Sequence, residues 1–300
     1  KELLRSTDPT TIAFATALLQ GEGIACFEMD VNMSVLEGSI GIFPRRLMVR
    51  TEELQQAERV MLDNDIALGG VVNAELTQND FLNGRVTLWQ PKDGYRAGVD
   101  PVLLAASVPA GGGESVLELG CGVGVASLCL AARVPGLKIT GVEIQPDAAI
   151  LAAQNAQHNG CKLTVITGDI ASPPAALRGE NFDFVIANPP YFDRAQSSPA
   201  PHQARERALG EQTPLKIWVK LAAKRLRPKG YAHFIFRSER LPDFMAVLPD
   251  DLGSLQVVPI APRKGRESGL TLLRMRKAGR ANFRLMAPLI LHEGIAAATK

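Results

Sequence analysis

Apolar and polar positions alternate with strand-like and helix-like periods along the chain, and the texture changes at Phe81. Before that point, "KELLR" reads as a short strand. "DPTTIAFATALLQGEG" reads as a helix with Asp8 as N-cap and Pro9 at its first position, ended by Gly21 and Gly23. "IACFEMD" and "GIFPRRLMVR" are two further strands, and "TEELQQAERVMLDND" is an amphipathic helix. The order is β-α-β-β-α. Residues 69–80, "GGVVNAELTQND", open on paired glycines and turn polar, which predicts a linker between a first domain at 1–68 and a second at 81–300. After it a basic, hairpin-like "GRVTLWQPKDGYRAG" leads into the helix "DPVLLAASV", with Asp100 a candidate N-cap. Strands and helices then alternate from "SVLELG" to "LTLLRMR". Apolar strands alternating with helices predict an α/β unit whose mostly parallel sheet is covered on both faces. Ligands of such sheets sit at the carboxyl ends of the strands.

Composition narrows the class. With 46% apolar and 21% charged residues, the 300-residue chain can build a sizeable core and lies outside the disordered class. Cys26, Cys121, Cys129 and Cys161 form no C-x-x-C pair and have no histidine at ligand spacing, so neither a disulfide framework nor a metal site is expected. Residues 1–30 lack a basic-then-apolar signal pattern, and no apolar run approaches the ~20 residues of a membrane span. A soluble protein of the cytoplasm is expected. The net charge of +2 hides an asymmetry: residues 1–80 carry 6 basic and 13 acidic side chains, and the remainder 27 and 18. Two units with different partners are implied, the second suited to a polyanion.

Candidate chemistry begins at "VLELGCGVGVASL", residues 116–128, a strand that runs into Gly120, Gly122 and Gly124 and then a helix. Alternating glycines allow a tight turn and close approach of a ligand to backbone N–H groups. A dinucleotide fingerprint requires glycine at 125, where Val125 stands, and Glu118 would repel a pyrophosphate. A ligand with a cationic head suits this loop better. Glu143 in "ITGVEIQ" and Asp169 in "VITGDI" end the next two strands. The pattern resembles motif I of the class I S-adenosylmethionine-dependent methyltransferases. That resemblance implies a Rossmann-like sheet with S-adenosylmethionine as cofactor. In it Glu118 lies near the methionine end, the three glycines approach the nucleoside, Glu143 accepts the ribose hydroxyls, Asp169 meets the adenine amino group, and Arg96 lines the pocket.

"FVIANPPYF", residues 184–192, ends the fourth strand in a stiff, extended turn, because each proline fixes φ and disfavours helix in the residue before it. "NPPY" resembles the motif of methyltransferases that act on planar nitrogens, the exocyclic amines of bases or the amides of glutamine. The resemblance implies that the Asn188 side-chain oxygen and the Pro189 carbonyl accept the two N–H bonds of the target. Pro190 adds rigidity and Tyr191 stacks on the planar group. Asn188 thereby also faces the cofactor.

Residues 77 to 295 resemble, more narrowly, the bacterial tRNA adenine-N6 methyltransferases that modify the adenine next to the anticodon of a valine tRNA. The carriers are "GYRAGVDPVLLAASV", "NPPYF" and "APLILHEG". Phe192 leans the same way, since glutamine methyltransferases of release factors tend to follow the tyrosine with an aliphatic residue. The stretch 263–284, with eight basic residues beginning at Arg263, Lys264 and Arg266, can follow a phosphate backbone, as can Arg205 and Arg207 beyond the elbow. A tRNA partner is therefore expected, met at its single-stranded anticodon loop. Two other readings stand beside this one: a protein-glutamine N5 or guanine-N2 methyltransferase, and a non-catalytic regulatory protein that binds the nucleotide or RNA. The first 65 or so residues resemble small bacterial signal-transducing domains of ferredoxin-like α+β fold, carried by "SVLEGSIGIFPRRLMV". They imply a binding, regulatory or packing role with an unknown partner.

Overall fold

A computed structural model describes residues 1–6, 9–29, 45–64, 66, 76–92, 96–190 and 213–292. The chain divides into two compact units, Lys1–Ala74 and Glu75–Lys300. In the first, β1 (Glu2–Ser6), α1 (Pro9–Gly21), β2 (Cys26–Met29), β3 (Arg45–Val49) and α2 (Leu54–Asp63) follow the expected order. β3 lies between β1 and β2 and is antiparallel to both, so β1 and β2 run parallel with a strand inserted between them. This is the split β-α-β of ferredoxin-like folds. Leu4, Ile12, Leu19, Leu47 and Met61 fill its core.

The second unit opens with a hairpin, β4 (Leu76–Phe81) and β5 (Val86–Pro91), paired from Phe81↔Val86 to Leu76↔Pro91. Residues 76–80, read from the sequence as linker, are thus the first strand of a hairpin. The overlooked signal was Asn83-Gly84: Leu82, Asn83 and Gly84 all have positive φ, the left-handed backbone of a tight hairpin turn. The hairpin therefore folds back on residues upstream of "GRVTLW". Then come α3 (Asp100–Ser107), β6 (Ser115–Leu119), α4 (Val125–Arg133), β7 (Lys138–Glu143), α5 (Pro146–His158), β8 (Leu163–Thr167) and β9 (Phe182–Ala187). After α6 (Leu215–Arg225) follow β10 (Leu226–Arg237), α7 (Leu241–Ala246), β11 (Leu252–Ala261), β12 (Leu270–Lys277), β13 (Arg284–Leu285) and β14 (Leu289–Ile290). Val99 is the N-cap of α3, and Asp100 sits inside its first turn, where a carboxylate favours the helix dipole.

Spatially the strands run β8-β7-β6-β9-β10-β12-β11, with β13 and β14 lying along β11. The first five are parallel, and β12 is antiparallel to both β10 and β11. Two consequences place the site. Chain order reverses between β6 and β9, opening a crevice at their carboxyl ends. Because β11 runs in the same sense as β10, the β11–β12 turn reaches that same edge. Alternate strand residues feed two cores, one beneath α6 and α7 and the other beneath α3, α4 and β5. In the first, the Phe244 ring packs edge-on against Phe234 and stacks on Phe236, each with centroids 5.0 Å apart. Among the described residues, no helix is long and apolar enough to cross a membrane.

Phe244 is fully buried. Replacing it by alanine should lower unfolding stability by about 3–5 kcal/mol, the transfer loss plus the cavity left beside the Phe234 and Phe236 rings. Urea titration should show a lower midpoint with an unchanged slope.

Candidate active site at the carboxyl edge

The backbone register brings the expected residues together. Leu119, the last residue of β6, pairs with Val142 of β7 on one side and Ala187 of β9 on the other. The next residues are Gly120, Glu143 and Asn188, on adjacent strands spaced by about 4.8 Å. Gly120, Gly122 and Gly124 have φ of +64°, +54° and +91°, conformations that strain any residue with a Cβ. A Cβ on Gly122 would stand in open space, so a ligand can reach this backbone, whereas one on Gly120 would lie 2.6 Å from Cη2 of Trp218. Gly124 is the N-cap of α4.

Two acids are buried beside this loop. The Glu118 carboxylate accepts hydrogen bonds from the Ser127 backbone N–H at 3.0 Å and from the Ser127 hydroxyl, in the first turn of α4. Burial pushes its pKa up to about 8, against the opposing effect of both hydrogen bonds. Glu143 accepts from the Gly122 N–H at 2.8 Å and the Gln145 N–H at 2.9 Å, one on each oxygen. These bonds bind the second strand end to the glycine loop without exhausting the roughly four acceptor sites of a carboxylate. Its pKa too is raised by burial. Asp169 accepts from the Ala171 N–H at 2.8 Å and shapes the turn after β8. Neither Glu118 nor Glu143 has a cationic partner within salt-bridge distance among the described residues. A ligand carrying a positive centre fits this deficit, and a pyrophosphate does not.

The opposite wall was less legible. Fully buried Asn155 on α5 exchanges hydrogen bonds with Trp89 N–H and C=O, at 2.8 and 3.1 Å, and donates to the Val123 carbonyl at 3.0 Å. One turn later, Asn159 exchanges bonds with Thr87 in the same way. Two amides at i, i+4 thus stand in for a neighbouring strand along β5 and tie the hairpin to the glycine loop. Their spacing in "AAQNAQHNG" was the available signal. Arg96, expected in the pocket, donates to Asn79 of β4 at 2.8 Å, and buried Gln90 bonds both Asn79 and the Ala97 N–H.

At the elbow, Asn188 is half-buried and Pro189 buried. The Pro190 carbonyl accepts from Arg240 at 3.4 Å. Tyr191, Phe192, Arg205 and Arg207 lie outside the described residues. Arg263, Lys264 and Arg266 are exposed on the β11–β12 turn, at the same edge as Gly120 and Asn188. The rest of the basic stretch does not join them. Arg274 and Arg276, along β12, lie 4.2 and 5.6 Å from the Tyr231 ring centre. Lys277, at the far edge, bonds Asp251 and the Ala223 carbonyl. The run 263–284 is therefore no single surface, because β12 carries it from one edge of the sheet to the other.

Comparison with known proteins agrees with this architecture. Residues 98–239 match the family model described as "Methyltransferase small domain", and residues 1–65 match "Putative prokaryotic signal transducing protein". A tRNA1(Val) (adenine(37)-N6)-methyltransferase of Proteus mirabilis is 31% identical over 198 residues, covering 65% of this chain and 73% of that protein. One from Porphyromonas gingivalis is 35% identical over 157 residues, covering 49% of this chain and 61% of that one. The chain thus spans less than two thirds of the latter's length. A crystal structure described as a predicted O-methyltransferase from Agrobacterium tumefaciens superposes with a TM-score of 0.55 at 25% identity, covering 67% of this chain and 91% of the other.

The raised pKa of Glu118 has a definite sign. The folded state holds this proton more tightly than the unfolded one, so its contribution to stability is complete below the unfolded value of 4.5 and lost as pH rises towards about 8. Glu118→Gln removes that loss. Urea denaturation should find the variant gaining stability over the parent progressively from pH 5 to pH 8, and a constant difference would place the Glu118 carboxyl in solvent.

Proposed function

We propose that this chain, which belongs to the family of tRNA1(Val) (adenine(37)-N6)-methyltransferases, transfers a methyl group from S-adenosylmethionine to the exocyclic N6 of an adenine beside the anticodon of a tRNA. The observation that carries the reading is the parallel register Leu119↔Ala187, which sets the asparagine of the elbow one strand away from the glycine loop. When bound, S-adenosylmethionine supplies a methyl group on a positively charged sulfur. The positive sulfur would favour ionisation of the buried Glu118, which would then balance the ligand's charge. Gly120, Gly122 and Gly124 would offer backbone, Glu143 would take the ribose hydroxyls with its remaining lone pairs, and Asp169 and Arg96 would complete the pocket.

An exocyclic amine is a feeble nucleophile because its lone pair is delocalised into the ring. The Asn188 oxygen and the Pro189 carbonyl accept its two N–H bonds and turn the lone pair towards the methyl group. Such positioning can supply up to about 7–11 kcal/mol of a barrier. The same acceptors stabilise the positive charge that develops on nitrogen. Pro190 holds the elbow stiff, and Tyr191 and Phe192 stack on the base. Arg263, Lys264 and Arg266, with Arg205 and Arg207, meet phosphates. An unpaired loop base enters such a site with less unstacking than a duplex base. Residues 1–68 form, in this reading, a binding or regulatory domain separate from the catalytic unit, and the tRNA substrate puts the protein in the cytoplasm.

Incubation with total tRNA and methyl-labelled S-adenosylmethionine, followed by nucleoside analysis, should place label in N6-methyladenosine. Label in protein, or in N2-methylguanosine, would replace this reading by the glutamine or guanine alternative, and no label in any product would favour a binding protein. Asn188→Ala should reduce turnover about 10²–10³-fold, the usual loss for one transition-state hydrogen bond in a closed site. Calorimetry should find cofactor affinity nearly unchanged.

A further inference from the structure

We propose that Trp218 is a positioning residue that fixes the height of the glycine loop relative to Asn188, and thereby the distance between methyl donor and acceptor. The inference rests on the methyltransferase reading of the site. Trp218 lies in the first turns of α6 and is 7% exposed. Its six-membered ring is pressed under Gly120: Cη2 and Cζ3 stand 2.6 and 3.0 Å from where a Cβ on that glycine would be. Contact this close is possible only because position 120 has no side chain. The ring shares one packed cluster with Leu119 and Ala187, the residues immediately before Gly120 and Asn188. The indole thus bears directly on Gly120 and belongs to the core that underlies both strand ends carrying the reacting partners.

Its orientation is fixed from the other side. The indole Nε1–H donates to the Thr213 carbonyl at 3.2 Å, in the turn that opens α6. Burial of an indole usually requires such a partner for its N–H. The ring is thus held at its polar end by α6 and bears at its apolar end on Gly120. Any other side chain at 218 leaves a void under the loop or lets the loop sink into it. A shift of about 1 Å between reacting groups can lower a rate about 10²-fold without changing ground-state binding. A core tryptophan of purely structural importance would instead reduce stability and all kinetic constants together.

The test uses Trp218→Phe, Gly120→Ala and the double variant of the full chain, with thermal melting to confirm folding at the assay temperature. Trp218→Phe should lower kcat by roughly 10- to 100-fold, while KM for tRNA and Kd for S-adenosylmethionine change by less than about threefold. Gly120→Ala should weaken cofactor binding, and its penalty should be at least about fivefold smaller in the Trp218→Phe background, where the shorter ring leaves room for the methyl group. Parental kcat in Trp218→Phe, or an equal Gly120→Ala penalty in both backgrounds, would overturn the proposal. The parent protein in the same assay tests the functional reading separately, and the cofactor-binding cycle is read with or without methyl transfer.

Discussion

The backbone ladder between β6 and β9 is the constraint on which the site depends. These strands are far apart in sequence and are joined through three crossovers, yet their parallel pairing from Val116↔Phe184 to Leu119↔Ala187 ends both on one row. A slip of one residue would turn every side chain of β9 to the opposite face and bury Asp183 in place of Phe184 opposite Val116. Asp183 holds the register from the far end: its carboxylate accepts from the Ser115 N–H and hydroxyl and pairs with Arg227 at 2.8 Å. These bonds keep its pKa below the usual carboxylate range despite the opposing effect of partial burial. The elbow's position is thus decided in part by an interaction at the opposite edge of the sheet.

Helix, glycine and acid are interdependent at the other end of β6. The left-handed turn at Gly124 starts α4, whose first-turn N–H at Ser127 is taken up by Glu118. The Gly122 N–H, freed by the same turn, is taken up by Glu143. Each acid therefore satisfies backbone that the loop would otherwise leave unpaired, which reconciles two carboxyls with burial. Among the described residues no lysine or arginine pairs with either acid. A lysine here would neutralise the acids and occupy the space that a positively charged ligand needs.

The sequence was most legible where one residue carries a backbone requirement. The strand–glycine–helix run, the acids at successive strand ends and the double proline each name their own geometry, and the structure puts all of them at one edge. The register that brings Gly120 beside Asn188 was not legible, because pairing of parallel strands is set by crossovers and core packing. Nothing along the chain singles out Trp218, and its relation to a glycine 98 residues earlier is visible only in space. The hairpin was misplaced because a polar strand such as "LTQNDF" has no apolar face to declare it; its stability comes from pairing and from Asn79 and Asn155. The basic run misled for another reason: linear density of arginine says nothing about direction, and β12 spreads it across the sheet.

That distribution sorts the charges at the carboxyl edge. Buried acids and exposed bases share the edge, and in the proposed reaction they would act on different partners because they lie in different media. Glu118 and Glu143 are buried, where attraction to a bound cation is little weakened by salt. Arg263, Lys264 and Arg266 stand in solvent, where fields decay over about 8 Å at physiological ionic strength. In that reaction, an RNA phosphate approaching the turn would meet the bases before it felt the acids, while a cationic cofactor within the crevice would meet the acids and be shielded from the bases. If both partners are held at this edge, added salt should loosen the RNA far more than the cofactor.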